Sequence, residues 1–314
     1  RISVRSRAIR GAVAVLIGVV SGALFEWLRV PLPWMLGPIF AIAACNLMGA
    51  RLDVPIAIRR GGQWVVGVVL GLYFTPDAVA RMVAIGPALL IATVFAIALG
   101  LAFAWLLMRF AGANGPTAFF GGAIGGASEM LVQGERHGGS AQLIAAGHTL
   151  RLIIVITVVP FGMAAFGIHG DEAWHPALQR FVLGGLGFVA AATLIAAFGA
   201  QRLRVPNAWV LGPLFVAAAI AFAELPASAL PRPVINLGQL LLGVAIGSRF
   251  APDFFQVAPR YLAVMALSSV GGIALGLALA WLLARVPFRG SAVVRAVATL
   301  SMVLPPVVGG VALF

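Results

Sequence analysis

Leu28-Arg-Val-Pro-Leu-Pro-Trp-Met-Leu-Gly-Pro38 returns in the second half of the chain as Leu203-Arg-Val-Pro-Asn-Ala-Trp-Val-Leu-Gly-Pro213, with eight of eleven positions identical. Further along, a constant shift of 176 sets residues 61–77 against 237–253. There Gly62, Gln63, Gly67, Val68, Gly71, Phe74, Pro76 and Asp77 meet Gly238, Gln239, Gly243, Val244, Gly247, Phe250, Pro252 and Asp253. The same shift sets 97–109 against 273–285, with eleven of thirteen residues identical. An apolar composition can imitate weak similarity, but it does not write L-R-V-P-x-x-W-x-L-G-P twice in register. The chain reads as an internal duplication, with a first repeat over 1–170 and a second over 171–314. Matching Arg151-Leu-Ile-Ile-Val155 with Arg295-Ala-Val-Ala-Thr299 leaves the second repeat without the equivalent of about residues 115–146.

Both repeats are written for a bilayer. Of 314 residues, 62% are hydrophobic and 10% charged, with a mean hydropathy of +1.07. A soluble domain carries about 25% charged residues, so too few polar groups remain to cover a water-exposed surface. In lipid the backbone must satisfy itself, which leaves helices or closed barrels. Barrel strands alternate apolar with polar residues, whereas runs such as Pro87 to Met108 and Ile273 to Ala284 are continuously apolar. The expected fold is all-α and polytopic.

The net charge of +12 does not point to nucleic acid, because the arginines stand singly at segment ends and not on one basic face. That placement suits the positive-inside rule. Cys45 is the single cysteine, so no intramolecular disulfide forms. Arg1, Arg5, Arg7 and Arg10 precede an apolar stretch from Gly11 to Leu28. No small-residue cleavage site follows it, so it reads as a first membrane helix and not a leader.

About ten spans are expected: 11–28, 34–50, 62–75, 83–108, 141–168, 180–200, 208–224, 235–249, 260–284 and 292–313. Segment 115–135 is too short and glycine-rich for a span and is expected to be re-entrant or broken. With the amino terminus in the cytoplasm and 115–135 dipping in and returning, 13 arginines fall inside and 6 outside. This bias favours inverted repeats; a fully spanning 115–135 makes them parallel instead. Short, glycine-interrupted segments at matching places in two halves, here 62–75 and 235–249, point to a transporter binding region.

Three constellations carry the chemistry. In Gly121-Gly-Ala-Ile-Gly-Gly-Ala-Ser-Glu-Met130 the glycines allow a helix break that would offer backbone groups, the Ser128 hydroxyl and the Glu129 carboxylate to a ligand, with Gly125 and Gly126 expected among the binding positions. Tight packing through small residues explains the glycines equally well, but not the Ser-Glu pair. His148 and Arg151 share one helical face, and a charge inside a span marks a functional site by default. Its expected partner is Glu129 or an anionic substrate, with a structural ion pair or a snorkelling arginine as the alternative. Trp34, Gly37 and Pro38, duplicated as Trp209, Gly212 and Pro213, are expected to be structural, through proline bending and close helix approach. Gln63 and Gln239 recur at equivalent points and are expected to line a polar path or knit the repeats. The histidines at 137, 148, 169 and 175 lack metal-ligand spacing, so no metal, cofactor or catalytic centre is expected.

Leu-Pro-Trp-Met-Leu-Gly-Pro at 32–38, Gly-Gly-Ala-Ser-Glu-Met at 125–130, His148-x-x-Arg151 and Trp-Val-Leu-Gly-Pro at 209–213 together resemble the AbrB family of bacterial inner-membrane proteins, over nearly the whole chain. Members carry labels such as regulator of gene expression, ammonia monooxygenase and transporter. The resemblance implies a tandem membrane duplication in the inner membrane. The family pattern has a second glycine-rich acidic motif in the carboxyl half, which this chain lacks.

These readings give an expected secondary transporter of a small organic anion, coupled or not to protons. Its site is expected near the bilayer midplane, where 121–130 meets the short spans. Arg151 and Arg295 would attract the anion, and Glu129 would couple protons or hold Arg151. The alternative is a membrane-embedded regulator or sensor that moves no solute. A monooxygenase lacks a ligand set, so no enzyme is expected. The partners are the bilayer and the substrate, with a homo-oligomer compatible.

Overall fold

The computed structural model describes residues 4–84, 86–124, 127–165, 183–225, 228–250, 252, 254 and 258–285. Among them the chain forms twelve α-helices and no strand: α1 Val4–Trp27, α2 Pro33–Leu47, α3 Ile56–Leu72, α4 Pro76–Ala84, α5 Gly86–Ala111, α6 Gly115–Gly122, α7 Ala127–Arg136, α8 Ala141–Ala165, α9 Leu183–Arg202, α10 Ala208–Phe222, α11 Arg232–Gly247 and α12 Pro259–Arg285. The expected span over 292–313 lies outside the described residues.

The architecture is all-helical and of membrane type. Five helices, α1, α5, α8, α9 and α12, are long and apolar enough to cross a bilayer. Leu16, Leu101, Ile195 and Leu267 on four of them are each more than half exposed, which suits lipid and not water. The apolar helices α2, α10 and α11 are only 15, 15 and 16 residues long. At 1.5 Å per residue they reach about 22–24 Å, less than the ~30 Å hydrocarbon core. Among the described residues, five of the expected ten crossings are thus met by length and composition alone.

Contacts divide the chain into two compact units, Arg1–Val79 with Glu172–Phe254 and Ala80–Asp171 with Phe255–Phe314. Each unit draws on both sequence repeats.

In the first unit α1 packs on α2 and α9 on α10, as repetition requires. The third helices are exchanged: α3 packs on α10, α11 packs on α2, and α3 and α11 pack on each other. The duplicated motif builds this exchange. A Cβ on Gly37 would sit 2.5 Å from the Ser21 carbonyl oxygen, and one on Gly212 would sit 2.6 Å from that of Ala196. A Cβ on Gly67 would sit 2.5 Å from Val210 O, and one on Gly243 would sit 2.6 Å from Met35 O. Pro38 and Pro213 flank the two crossings in the same way. Neither α3 nor α11 is interrupted. The expectation that glycines break 62–75 and 235–249 is therefore corrected: there they remove side chains so that helices of opposite repeats can touch.

The turn ahead of α2 and α10 is duplicated as well. Arg29 and Arg204 both have φ 56°, and Leu32 and Asn207 have φ 48° and 50°. A left-handed residue strains leucine more than asparagine, which accounts for the more polar second copy. A buried Asn46 adds a tie found in one repeat only. Its Oδ1 accepts from Leu52 N at 2.6 Å, and its Nδ2 donates to Leu52 O at 3.1 Å and Ser248 O at 3.3 Å.

In the second unit α12 packs on α5 and α8, while α6 and α7 pack on each other and on α8. Helix α6 approaches α5 at Gly122, where a Cβ would lie 2.6 Å from Ala104 N.

Candidate functional site

The site is built on segment 114–138. Asn114 caps α6, its Oδ1 accepting from Thr117 N at 3.0 Å, and Pro116 takes a position in the first turn where no N–H is needed. The helix stops at Gly122 after eight residues, and α7 resumes at Ala127 for ten. The two are thus about 12 and 15 Å long, half-spans and not spans. Beyond α7, Gly138 turns the chain at φ 80°, with Gly139 N donating to Gly134 O at 2.7 Å. The segment then closes on itself. Asn114 Nδ2 donates to Gly138 O at 3.0 Å, and Ser140 N donates to Thr117 Oγ1 at 2.8 Å. What begins at Asn114 returns to Asn114, so 114–138 is a helical hairpin with its break at the far end.

A helix that stops leaves carbonyls without partners. Here α8 supplies them. His148 Nε2 meets Phe120 O at 2.9 Å. Arg151 donates from Nη1 to Gly122 O at 3.0 Å and from Nη2 to Ala123 O at 2.8 Å. Arg151 Nη2 also meets His148 Nδ1 at 2.7 Å. A guanidinium only donates, so Nδ1 accepts and the ring proton stands on Nε2. His148 is therefore a neutral imidazole of defined tautomer, buried among these groups. Arg151 places a cation at the carboxyl end of α6, the favourable end of the helix dipole. All three of its partners are neutral, and no carboxylate among the described side chains pairs with it.

Tyr261, at the start of α12, joins the cluster. Its hydroxyl rests directly on Gly121, and it lies 3.1 Å from the place of a Cβ on Gly147. Gly121 adjoins Gly122, whose carbonyl takes Arg151 Nη1, so the hydroxyl borders the same helix end.

Of the expected site residues, the structure brings His148 and Arg151 together at the hairpin. Ser128 and Glu129 fall in the first turn of α7, but their side chains, like Gly125, Gly126 and Arg295, lie outside the described residues. Gln63 is buried in α3 and Gln239 half-buried in α11, both in the first unit. Trp34 lies over Gly22, and Trp209 donates to Gln201 Oε1 at 2.6 Å beneath the Arg60 guanidinium, 5.5 Å from its ring. Tyr261 and Asn114 were not singled out by sequence. Tyr261 had one available signal, as one of only two tyrosines in the chain. Among the described residues no three His, Cys, Asp or Glu side chains gather to hold a metal.

A family model described as "Transition state regulatory protein AbrB" matches residues 34–288. "Putative regulator AbrB" of Escherichia coli is 23% identical over 267 residues, covering 83% of this chain and 76% of that protein. "Uncharacterized protein YhjN" of Bacillus subtilis is 24% identical over 291 residues, covering 83% of this chain and 74% of that protein. No solved structure matches.

Proposed function

The chain belongs to the AbrB family, and from that premise we propose that it is a proton-coupled secondary transporter of a small organic anion in the bacterial inner membrane. The observation that carries the reading is the hairpin of two half-helices whose break is braced by Arg151, a cation with only neutral partners among the described side chains. Discontinuous helices at membrane depth recur at transporter binding sites, where the amino end of a half-helix faces an anionic group. Here the positive end of α7 opens onto the break, and the negative end of α6 is covered by Arg151. An anion at the break meets favourable charge from both sides. Glu129, three residues into α7, is the carboxylate we assign to proton coupling.

In this reading the repeats are inverted and the amino terminus is cytoplasmic. Closure of 114–138 at Asn114 and Gly138 supports it, since a segment that returns to its start adds no crossing. The short helices α2, α3, α10 and α11 then complete the crossings inside the protein. The protein acts as a carrier, without a chemical step or cofactor, and its partners are lipid and substrate.

A second reading is a membrane-embedded regulator, favoured by the name of the Escherichia coli relative. Uptake of labelled carboxylic acids by purified protein in liposomes, with and without an inward proton gradient, separates the two. Gradient-stimulated uptake is expected. Its absence across the panel, with protein correctly inserted, removes the transporter and leaves the regulator.

A further inference from the structure

Tyr261 is 2% exposed, and its hydroxyl is buried without a hydrogen-bond partner. A phenol in an apolar contact could be a phenylalanine with no such penalty, because an unpaired buried hydroxyl costs its full desolvation. The surroundings accommodate the oxygen specifically. Gly121 of α6 and Gly147 of α8 both face it, and a Cβ on Gly121 would clash with the hydroxyl. Two helices thus omit side chains at the point where Tyr261 presents a polar atom.

Arg151 stands near it by geometry: it donates to Gly122 O, next to the Gly121 that the hydroxyl touches, and lies one turn beyond Gly147 on α8. Three of its five N–H groups are used, two on carbonyls and one on the Nδ1 of His148. Two N–H donors remain, one on Nε and one on Nη1. The cluster therefore holds one positive charge, spare guanidinium donors and one unused hydroxyl. That inventory suits a group with one negative charge and two acceptor oxygens. A dianionic phosphate asks for more positive charge than one arginine gives.

We propose that Tyr261 is a substrate-binding residue, its hydroxyl donating to one oxygen of a carboxylate whose other oxygen takes a free N–H of Arg151. This rests on the anion reading above and names its chemical class. It also accounts for the glycines at 121 and 147, which make room for the hydroxyl between α6 and α8.

The test is the thermal stability of purified protein in detergent, titrated with acetate, lactate and succinate against chloride at constant ionic strength. The carboxylates are expected to raise the melting temperature of the wild type, and chloride to leave it unchanged. Tyr261→Phe removes one oxygen. It should melt at or above the wild type without ligand, and require about tenfold more carboxylate for the same shift, as loss of one hydrogen bond to a charged group implies. A variant with an undiminished carboxylate response overturns this inference while leaving the anion reading in place. A wild type that responds to none of the three overturns both. A Tyr261→Phe variant that melts lower without ligand shows the hydroxyl already engaged in the fold, and also overturns the inference. Gly147→Ala serves as a second variant, because it crowds the hydroxyl without removing it. It should weaken the carboxylate response in the wild-type background, and an unchanged response counts against the proposal.

Discussion

Arg151 Nη2 donates to His148 Nδ1 across 2.7 Å, three residues apart on α8. One turn of helix thereby carries a connected set of donors to Phe120, Gly122 and Ala123, the last carbonyls before the chain breaks. The arginine orients the imidazole, and the imidazole directs one face of the guanidinium toward α6. The carbonyls at the end of α6 are thus held from outside the hairpin by side chains of a neighbouring helix.

His148 should be replaceable by an amide but not by a methyl. In His148→Gln, the amide N–H can still reach Phe120 O and the amide oxygen can accept from Arg151. His148→Ala leaves both groups without partners, at about 1–3 kcal/mol. Melting in detergent should therefore fall clearly for alanine and by less than half as much for glutamine. Equal melting of the two variants removes the hydrogen-bond account of this residue.

Arg151→Lys should loosen the hairpin even though the charge remains. An ammonium is a point donor and cannot span two successive carbonyls as the fork does. Loss of one charge-assisted bond amounts to about 1.5–3 kcal/mol. With Cys45→Ala as background, a cysteine at Ala123 should react with a maleimide at least about tenfold faster in Arg151→Lys than with Arg151 intact. An unaltered rate means the two carbonyl bonds do not hold the break.

The sequence made the duplication plain because glycine, proline and tryptophan carry identity where apolar residues do not. The same motif hid the exchange of α3 and α11, since a list of glycines looks alike whether they interrupt a helix or let one pass close to another. Only the partners of Gly67 and Gly243, the carbonyls of Val210 and Met35 in the opposite repeat, tell the two cases apart. His148 and Arg151 were legible from their spacing and from the arginine's charge within an apolar run. Their described partners were not, because backbone carbonyls leave no trace in residue identity. Tyr261 escaped because it is more than a hundred residues from Arg151, and no local pattern joins them.

Gly67→Ala and Gly243→Ala should be about equally damaging, because the same crossing is built twice. Each new methyl would sit 2.5–2.6 Å from a carbonyl oxygen of a rigid helix, and such overpacking costs about 1–3 kcal/mol. Gly199→Ala in α9 and Gly276→Ala in α12 are the controls. A Cβ there meets nothing within 4 Å, and alanine is the better helix former. Lower melting for the first pair and unchanged or higher melting for the second is expected. A normal Gly243→Ala beside a damaged Gly67→Ala contradicts the equivalence of the two crossings.

If the repeats are inverted, as proposed, Arg29 and Arg204, equivalent residues of the duplicated turn, stand on opposite sides of the membrane. Both are exposed and share φ 56°, so a cysteine at either should be reachable and comparably tolerated. Between them the chain passes through α2, α3, α5, α8 and α9, an odd number of crossings if 114–138 enters and leaves by one face. The bond from Asn114 Nδ2 to Gly138 O is the local reason to expect that. Arg29→Cys and Arg204→Cys, each in a Cys45→Ala background, should react with an impermeant maleimide from opposite sides of intact cells and inverted vesicles. Asn114→Ala in the Arg204→Cys background should leave the sidedness unchanged, because orientation follows the distribution of arginines and not one hydrogen bond. Labelling of both cysteines from the same side makes the repeats parallel and turns 114–138 into a crossing. The half-spans α6 and α7 could then no longer be two arms of one re-entrant hairpin.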